Sequence, residues 1–331
     1  MSLRAPRVRV LADDVPLPGV LETDVFANNH LAADRFRVRL AASVSNPAAL
    51  AAPGLRLEVQ VSLGTGWTGL ILGVADALSL DPIGGTLEVE GRDLAALLLD
   101  APAAEAYANR TASEIVAAVA ARHRLGAAVT PTESMVGRES ATGRDRITLN
   151  QFARATSDWD LCAALAQQEG YDLFLDGGTL HFHPAGTEAA VVLGPRDCLG
   201  LRLEQSLALS RGAEVTVRSW NARRGGSVAQ SARSGGGATR HALVRPGLAP
   251  ADAQRMADRL LADLTRHVRT ASLTMPGELS LTPRSRVALR GVGAGFDGIY
   301  GVSELARHVD AERGFTQRLR LHATEGRWTV C

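Results

Sequence analysis

Apolar and polar residues alternate along Arg35-Phe36-Arg37-Val38-Arg39-Leu40 and again along Leu55-Arg56-Leu57-Glu58-Val59-Gln60-Val61-Ser62-Leu63. That spacing gives each stretch one apolar and one polar face, and it predicts half-buried antiparallel strands. With Val8 and Val10 before them, and Leu70 to Leu78 and Leu87 to Glu90 after, residues 1–92 hold enough strands for a first small β-barrel. The period then lengthens. Leu94, Leu97 and Leu98 share one face of a helix over Asp93 to Asp100. Thr111 and Glu114 spell a capping box ahead of Ile115 and Val119, with Gly126 placed to cap the far end. A third helix runs from about Ser157 to Glu169 and stops at Gly170. Its apolar residues Trp159, Leu161, Cys162 and Leu165 occupy more than one face, which predicts burial against strands. Tyr171 to Leu175 and Thr179 to His183 flank Asp176-Gly177-Gly178, a hairpin signal, so residues 93–198 form an α+β middle region.

From about Leu199 alternation returns, in Glu214-Val215-Thr216-Val217-Arg218-Ser219-Trp220. Residues 222–240 are rich in glycine and small polar residues and carry Arg223, Arg224, Arg233 and Arg240. They predict a flexible loop, with a basic contact surface as the alternative. A helix over 250–268 opens at Pro250 and places Met256, Leu260, Leu264 and Val268 four residues apart. Residues 199–331 thus make a second β-barrel carrying that loop and one helix. The fold class is α+β, mainly β, with two related small antiparallel β-barrels and an α+β middle region.

The two barrels are related because a short phrase occurs twice. Gly66-Trp67-Thr68-Gly69-Leu70-Ile71 precedes Gly73-Val74, and Gly295-Phe296-Asp297-Gly298-Ile299-Tyr300 precedes Gly301-Val302. Each copy follows a proline-led strand (Pro53 to Leu63; Pro283 to Leu289) and precedes another alternating stretch (Leu87/Val89; Leu319/Leu321). One β-meander of about 53–90 is used again at about 283–322. Three such chains would present six quasi-equivalent copies, a match between threefold and sixfold partners.

Composition removes several kinds of chemistry. All 36 basic residues of the 331-residue chain are arginine, so there is no lysine nucleophile, Schiff base or phosphate-loop lysine. A formal net charge of +1 sets up no global field for nucleic acid or anionic lipid, and no run of about 20 apolar residues spans a bilayer. Met1 to Val10 lacks the apolar block of a secretory signal, which points to assembly in a cytoplasm. Cys162, Cys198 and Cys331 are too scattered for a disulfide framework or a zinc site. Gly64-Thr65-Gly66-Trp67-Thr68-Gly69 has dinucleotide-loop spacing but leads into strand pattern, so the glycines make a turn. His181 and His183 share one strand face, with hairpin packing or solvent exposure favoured over a metal. Trp159, Trp220 and Tyr171 sit inside apolar patterns and are expected as core anchors rather than stacking platforms. No nucleophile elbow, zincin helix or phosphate loop occurs, so no catalytic, cofactor-binding or metal residue is assigned.

In Ser157-Asp158-Trp159 through Glu169-Gly170-Tyr171 and the hairpin that follows, the chain resembles the phage late-control gene D and baseplate-hub family. The resemblance extends to Val217-Arg218-Ser219-Trp220-Asn221, to Phe296-Asp297-Gly298-Ile299-Tyr300-Gly301-Val302, to Arg307-His308 and to Gly314-Phe315. It marks Asp158, Trp159, Glu169, Gly170, Tyr171, Trp220, Phe296, Gly298 and Tyr300 as structural signature positions. It covers the middle and last thirds; the first third matches in strand pattern and at Glu90-Gly91-Arg92-Asp93. The resemblance implies a virion structural protein without enzymatic activity: a homotrimer assembled in the host cytoplasm, its paired barrels imitating a tube ring. Its implied partners are the tail tube protein, a separate central spike protein, and tape-measure and other baseplate proteins, with no membrane, cofactor or sequence-specific nucleic acid. Phage tails, gene-transfer particles and contractile injection machines all fall under it. A tail-associated peptidoglycan hydrolase is the alternative.

Overall fold

The computed structural model describes residues 6–64, 66–103, 107, 110–133, 135–136, 139–140, 143–144, 156–186, 189–221, 226–236, 239–245, 247–293 and 295–324. The chain divides into two compact units, each built from stretches that are not consecutive. Unit one is Met1–Thr187, Met275–Arg284 and Ser303–Leu319; unit two is Glu188–Thr274, Ser285–Val302 and Arg320–Cys331.

Unit one begins with β1 (Arg7–Ala12), β2 (Val15–Pro16), β3 (Val20–Asn28), β4 (Arg35–Ala41), β5 (Arg56–Ser62), β6 (Thr68–Asp81) and β7 (Thr86–Asp93). Their order in the sheet is β3-β4-β7-β6-β5-β1-β2, with antiparallel neighbours throughout. The period-two pattern decides which face goes inward: Phe36, Val38 and Leu40 on β4 pack with Leu57, Val59, Leu87, Val89 and Val10, all nearly fully buried. Gly91 lies opposite Phe36 in the ladder, and a Cβ there would come within 2.4 Å of the ring. The ring fills the space that glycine leaves.

The middle region adds α1 (Ala95–Leu99), α2 (Ala112–Arg122), β8 (Gly126–Val129), α3 (Asp158–Glu169), β9 (Tyr171–Asp176) and β10 (Thr179–Pro184). The first helix is shorter than the spacing predicts, because Asp93 still belongs to β7 and turns its carboxylate to the Ala95 N–H at 3.1 Å. Thr111 and Glu114 form the expected capping box, as do Ser157 and Asp160 at α3. Gly126 does not cap α2. Arg124 takes the left-handed conformation (φ +57°), which frees Gly126 to begin β8, parallel to β10. Gly170 does end α3, at φ +75°. Leu94, Leu98, Ile115, Val119, Leu165, Leu180 and Phe182 form the core between these helices and the β9–β10 hairpin.

Unit two contains β11 (Val191–Leu193), β12 (Gly200–Gln205), β13 (Ala213–Asn221), β14 (Gly226–Ser234), β15 (Thr239–Val244) and α4 (Pro250–Thr265). It continues with β16 (Arg269–Pro276), β17 (Arg286–Leu289), β18 (Gly298–Asp310) and β19 (Gly314–Ala323), the last two and β16 also contributing residues to unit one. The flexible loop expected over 222–240 is corrected by β14 and β15, which flank β13 in a three-stranded sheet. Residues 222–225 and 237–238 lie outside the described residues. Small side chains build β14: Ala232 packs on Ala253 and Ala257 of α4, so a strand forms without the large apolar residues that usually announce one.

The rest of the same sheet runs β12-β16-β19-β18-β17-β11. Set beside β3-β4-β7-β6-β5-β1, it has the same six strands in the same chain order and the same neighbour order. The repeat therefore has twice as many strands as the meander read from the sequence. One pairing differs: β1 is antiparallel to β5, whereas β11 is parallel to β17.

Candidate functional site

The signature positions from Asp158 to Tyr171 lie in unit one, and the remaining four lie in unit two. Of their tryptophans and tyrosines, all but one are buried or half-buried. Asp158, 1% exposed, opens α3 and pairs with Arg122 at 2.6 Å and His123 at 2.7 Å, locking α3 to the end of α2. Trp159 is 3% exposed, and its Nε1 donates to the Leu31 carbonyl at 2.7 Å, so one indole ties the middle region to the β3–β4 connection. Glu169 and Gly170 end the helix, and Tyr171 packs on Phe182 with ring centroids 4.9 Å apart. Tyr300 is buried and donates its hydroxyl to the Phe296 carbonyl at 2.8 Å, closing the second copy of the duplicated turn at Gly298. Trp220 is the exception: it is 53% exposed. Val215, Val217 and Ser219 take the inward phase of β13 against α4, so alternation turns Trp220 outward and the expected core anchor is overturned.

The two turns share a further feature. Arg9 lies 4.4 Å above the Trp67 ring, with Arg7 at 5.5 Å, and Arg269 lies 5.8 Å from the Phe296 ring. Gly66 and Gly295 take φ +94° and +95°, which fits the turn-forming role and leaves no helix N-terminus for a pyrophosphate. His181 and His183 both pack on Phe174, one stacked at 4.6 Å and one edge-on at 5.5 Å. Burial holds His181 below the ordinary imidazole range.

Two ionic clusters in unit one escape sequence reasoning because their members are far apart in the chain. On the outward side of β3, β4 and β18, Arg37 bonds Asp24 at 2.6 Å and Glu22 at 3.3 Å, and Arg39 reaches Glu22 at 2.9 Å. His308 bridges Asp24 at 2.8 Å and Asp310 at 2.7 Å. Burial pulls His308 down, but those two carboxylates outweigh it and leave it raised. Glu22, Asp24 and His308 are the one group among the described residues whose donor atoms converge closely enough for a metal ion. The two guanidinium groups already neutralise those carboxylates, and the cluster does the work of riveting strands.

The second cluster is more enclosed. Asp93, 7% exposed, is pushed up to about 8 by burial and by the nearby Asp34 charge. Burial raises Asp34 to about 6, against bonds from the backbone N–H and Nδ2 of Asn28 at 2.9 and 3.0 Å. Arg284 faces both carboxylates and stacks 3.5 Å over Phe174, and Arg307 donates to the Leu281 carbonyl at 2.6 Å. Burial lowers both guanidinium groups. In unit two, Glu214, Thr216, Arg218, Arg240 and His241 line a polar hollow over the outer face of β13 and β15, with Glu214 and Arg240 paired at 3.3 Å.

What the molecule offers is strand edges, anchored turns and charge clusters that hold strands together. No family model and no curated protein matches the chain. Solved structures do. The tail protein from Neisseria meningitidis MC58 is similar over 96% of both chains at 17% identity, with a TM-score of 0.75. The 43 kDa tail protein of prophage MuSo2 from Shewanella oneidensis is similar over 97% of both chains at 15% identity and a TM-score of 0.72. The E. coli c3393 protein is a component of the type VI secretion system with structural similarity to the T4 bacteriophage tail proteins gp27 and gp5. It is similar over 97% of this chain and 78% of its own, at 13% identity and a TM-score of 0.59. At these identities the likeness is one of fold.

Proposed function

We propose that this chain is a structural hub of a phage tail or phage-like particle, of the late-control gene D type. In this reading it is a homotrimer that sets six barrel copies around a common channel and joins the tail tube to a central spike. The observation that carries the reading is the six-strand unit present twice in one neighbour order. Two copies per chain and three chains give six similar surfaces to a sixfold ring while leaving a true threefold axis for a trimeric partner. The tail and secretion proteins that share the fold support the same class of role. The function is symmetry matching within a virion or particle, with no chemical step, and tape-measure and other baseplate proteins are its further neighbours.

Light scattering on the purified chain tests this directly: a mass three times that of one chain is expected, and a monomer at all concentrations contradicts it. A turbidity assay on cell walls tests the absence of a chemical step, and clear lysis by the pure protein would overturn it.

A further inference from the structure

The sheet carries a pairing between the two copies that is made once and has an unmade counterpart. In unit one, Glu304 to Asp310 of β18 pair antiparallel with Glu22 to Asn28 of β3. In terms of the repeat, the fifth strand of the second copy joins the second strand of the first copy. The converse pair is β6, the fifth strand of the first copy, and β12, the second strand of the second. Both are open. Beyond Val74, where β5 stops, Asp76 to Asp81 of β6 have β7 on one side and no strand on the other among the described residues. Among the described residues β12 pairs with β16 alone and ends its sheet path.

We infer that β12 of one chain adds to the Asp76–Asp81 edge of β6 in a second copy of this chain, antiparallel, repeating between chains the β3–β18 pairing made within one. This deepens the trimer reading and rests on it. An edge that pairs head to tail with a different edge generates a ring when the rotation closes. With three chains, three internal and three external junctions alternate, so each barrel copy meets its neighbours through the same pair of strands.

Three observations favour this occupant. The first is the precedent, in which the pairing buries Val25, Leu305 and Val309 to 2% or less. The second is that both open edges expose large apolar side chains that such a pairing covers: Leu80 (49%) and Ile83 (98%) at the end of β6, and Leu199 (68%) and Leu207 (79%) on either side of β12. Antiparallel addition brings the Leu199 end of β12 to the Leu80 end of β6. The third is backbone. Ser206 donates to the Val268 carbonyl in line with the β12–β16 ladder, so alternation turns the N–H groups of Leu201, Leu203 and Gln205 toward the open side. An unprotected edge of that kind is a template for another strand.

The test uses the full chain with Cys198 and Cys331 replaced by serine. Arg202→Cys on β12 is combined in turn with Ala77→Cys, Ser79→Cys or Asp81→Cys. These three β6 positions share a face because Leu78 and Leu80 pair with the buried Val89 and Leu87 on the other. Oxidation of at least one combination should give covalent dimers and trimers on a non-reducing gel, and the single-cysteine variants should stay monomeric there. Gln205→Pro, which removes an outward N–H on an edge strand, should keep the wild-type circular dichroism and shift the mass from trimer to monomer. A wild-type trimer in which none of the three combinations cross-links, or one that survives Gln205→Pro, overturns this junction and leaves the trimer standing. A wild-type monomer defeats the trimer reading and the junction with it.

Discussion

Asp93→Asn isolates the enclosed charge cluster of unit one. Asp93 keeps its proton in the folded protein up to about pH 8, whereas its ordinary value is 3.8. Between those values the unfolded chain is ionised and the folded chain is not, so the folded state binds the extra proton and stability falls as pH rises. The stabilising contribution is complete below 3.8, declines through the window and is gone above about 8. Integrating the linkage relation for one such group gives a loss of about 2.5 kcal/mol from pH 5 to pH 7. Asparagine keeps the size of the side chain and the oxygen that accepts from the Ala95 N–H, but it does not titrate. Denaturant unfolding followed by circular dichroism at pH 5, 6 and 7 should show the wild type losing about 2.5 kcal/mol more than Asp93→Asn across that range. Parallel profiles for the two proteins would refute the claim that Asp93 is buried protonated beside Asp34.

Other perturbations follow from the same geometry. Trp159→Ala removes a buried indole and its bond to Leu31, and should cost about 3–5 kcal/mol in denaturant unfolding; a cost under 1 kcal/mol would show that the indole is no anchor. Gly91→Ala drives a methyl into the Val74 carbonyl oxygen and the Phe36 ring and should destabilise by about 1–3 kcal/mol by overpacking; an unchanged midpoint for the variant would count against the close approach. His308 is raised by Asp24 and Asp310, so its contribution is full below the ordinary 6.5 and is lost as pH climbs through the higher folded value. His308→Gln should therefore flatten the loss of stability above pH 6.5, and an unaltered slope there would contradict the bridging role.

Much of the fold could be read from the chain because local physics and tertiary structure agree there. The alternation in β4 and β5, the Ser157/Asp160 and Thr111/Glu114 caps and the Gly170 stop each carry a residue-level cause that tertiary contacts reinforce. β14 was hidden because its partner face on α4 is alanine, so serine and alanine suffice where valine and leucine are expected. The phase of Trp220 was legible in principle: Val215 and Val217 fix which residues of β13 face inward, and Trp220 is out of step with them. The end of α2 misled because Arg124 takes the left-handed turn that glycine usually takes. The ionic clusters left no local mark at all. Asp34, Asp93, Arg284 and Arg307 meet through strand pairing across more than half of the chain, and no spacing encodes that. The duplication was visible at its turns, where glycine and an aromatic are required, and faded along strands whose only requirement is alternation.

In the proposed assembly, two copies of one six-strand unit in each of three chains make a pseudo-sixfold ring. Cryo-electron microscopy of the purified chain, reconstructed without imposed symmetry, tests it most directly. A threefold particle is predicted, with six barrel copies around an open channel, first and second copies alternating and the Gly66 and Gly295 turns at equivalent places. A single chain, or a ring in which the two copies do not alternate around the axis, would contradict it.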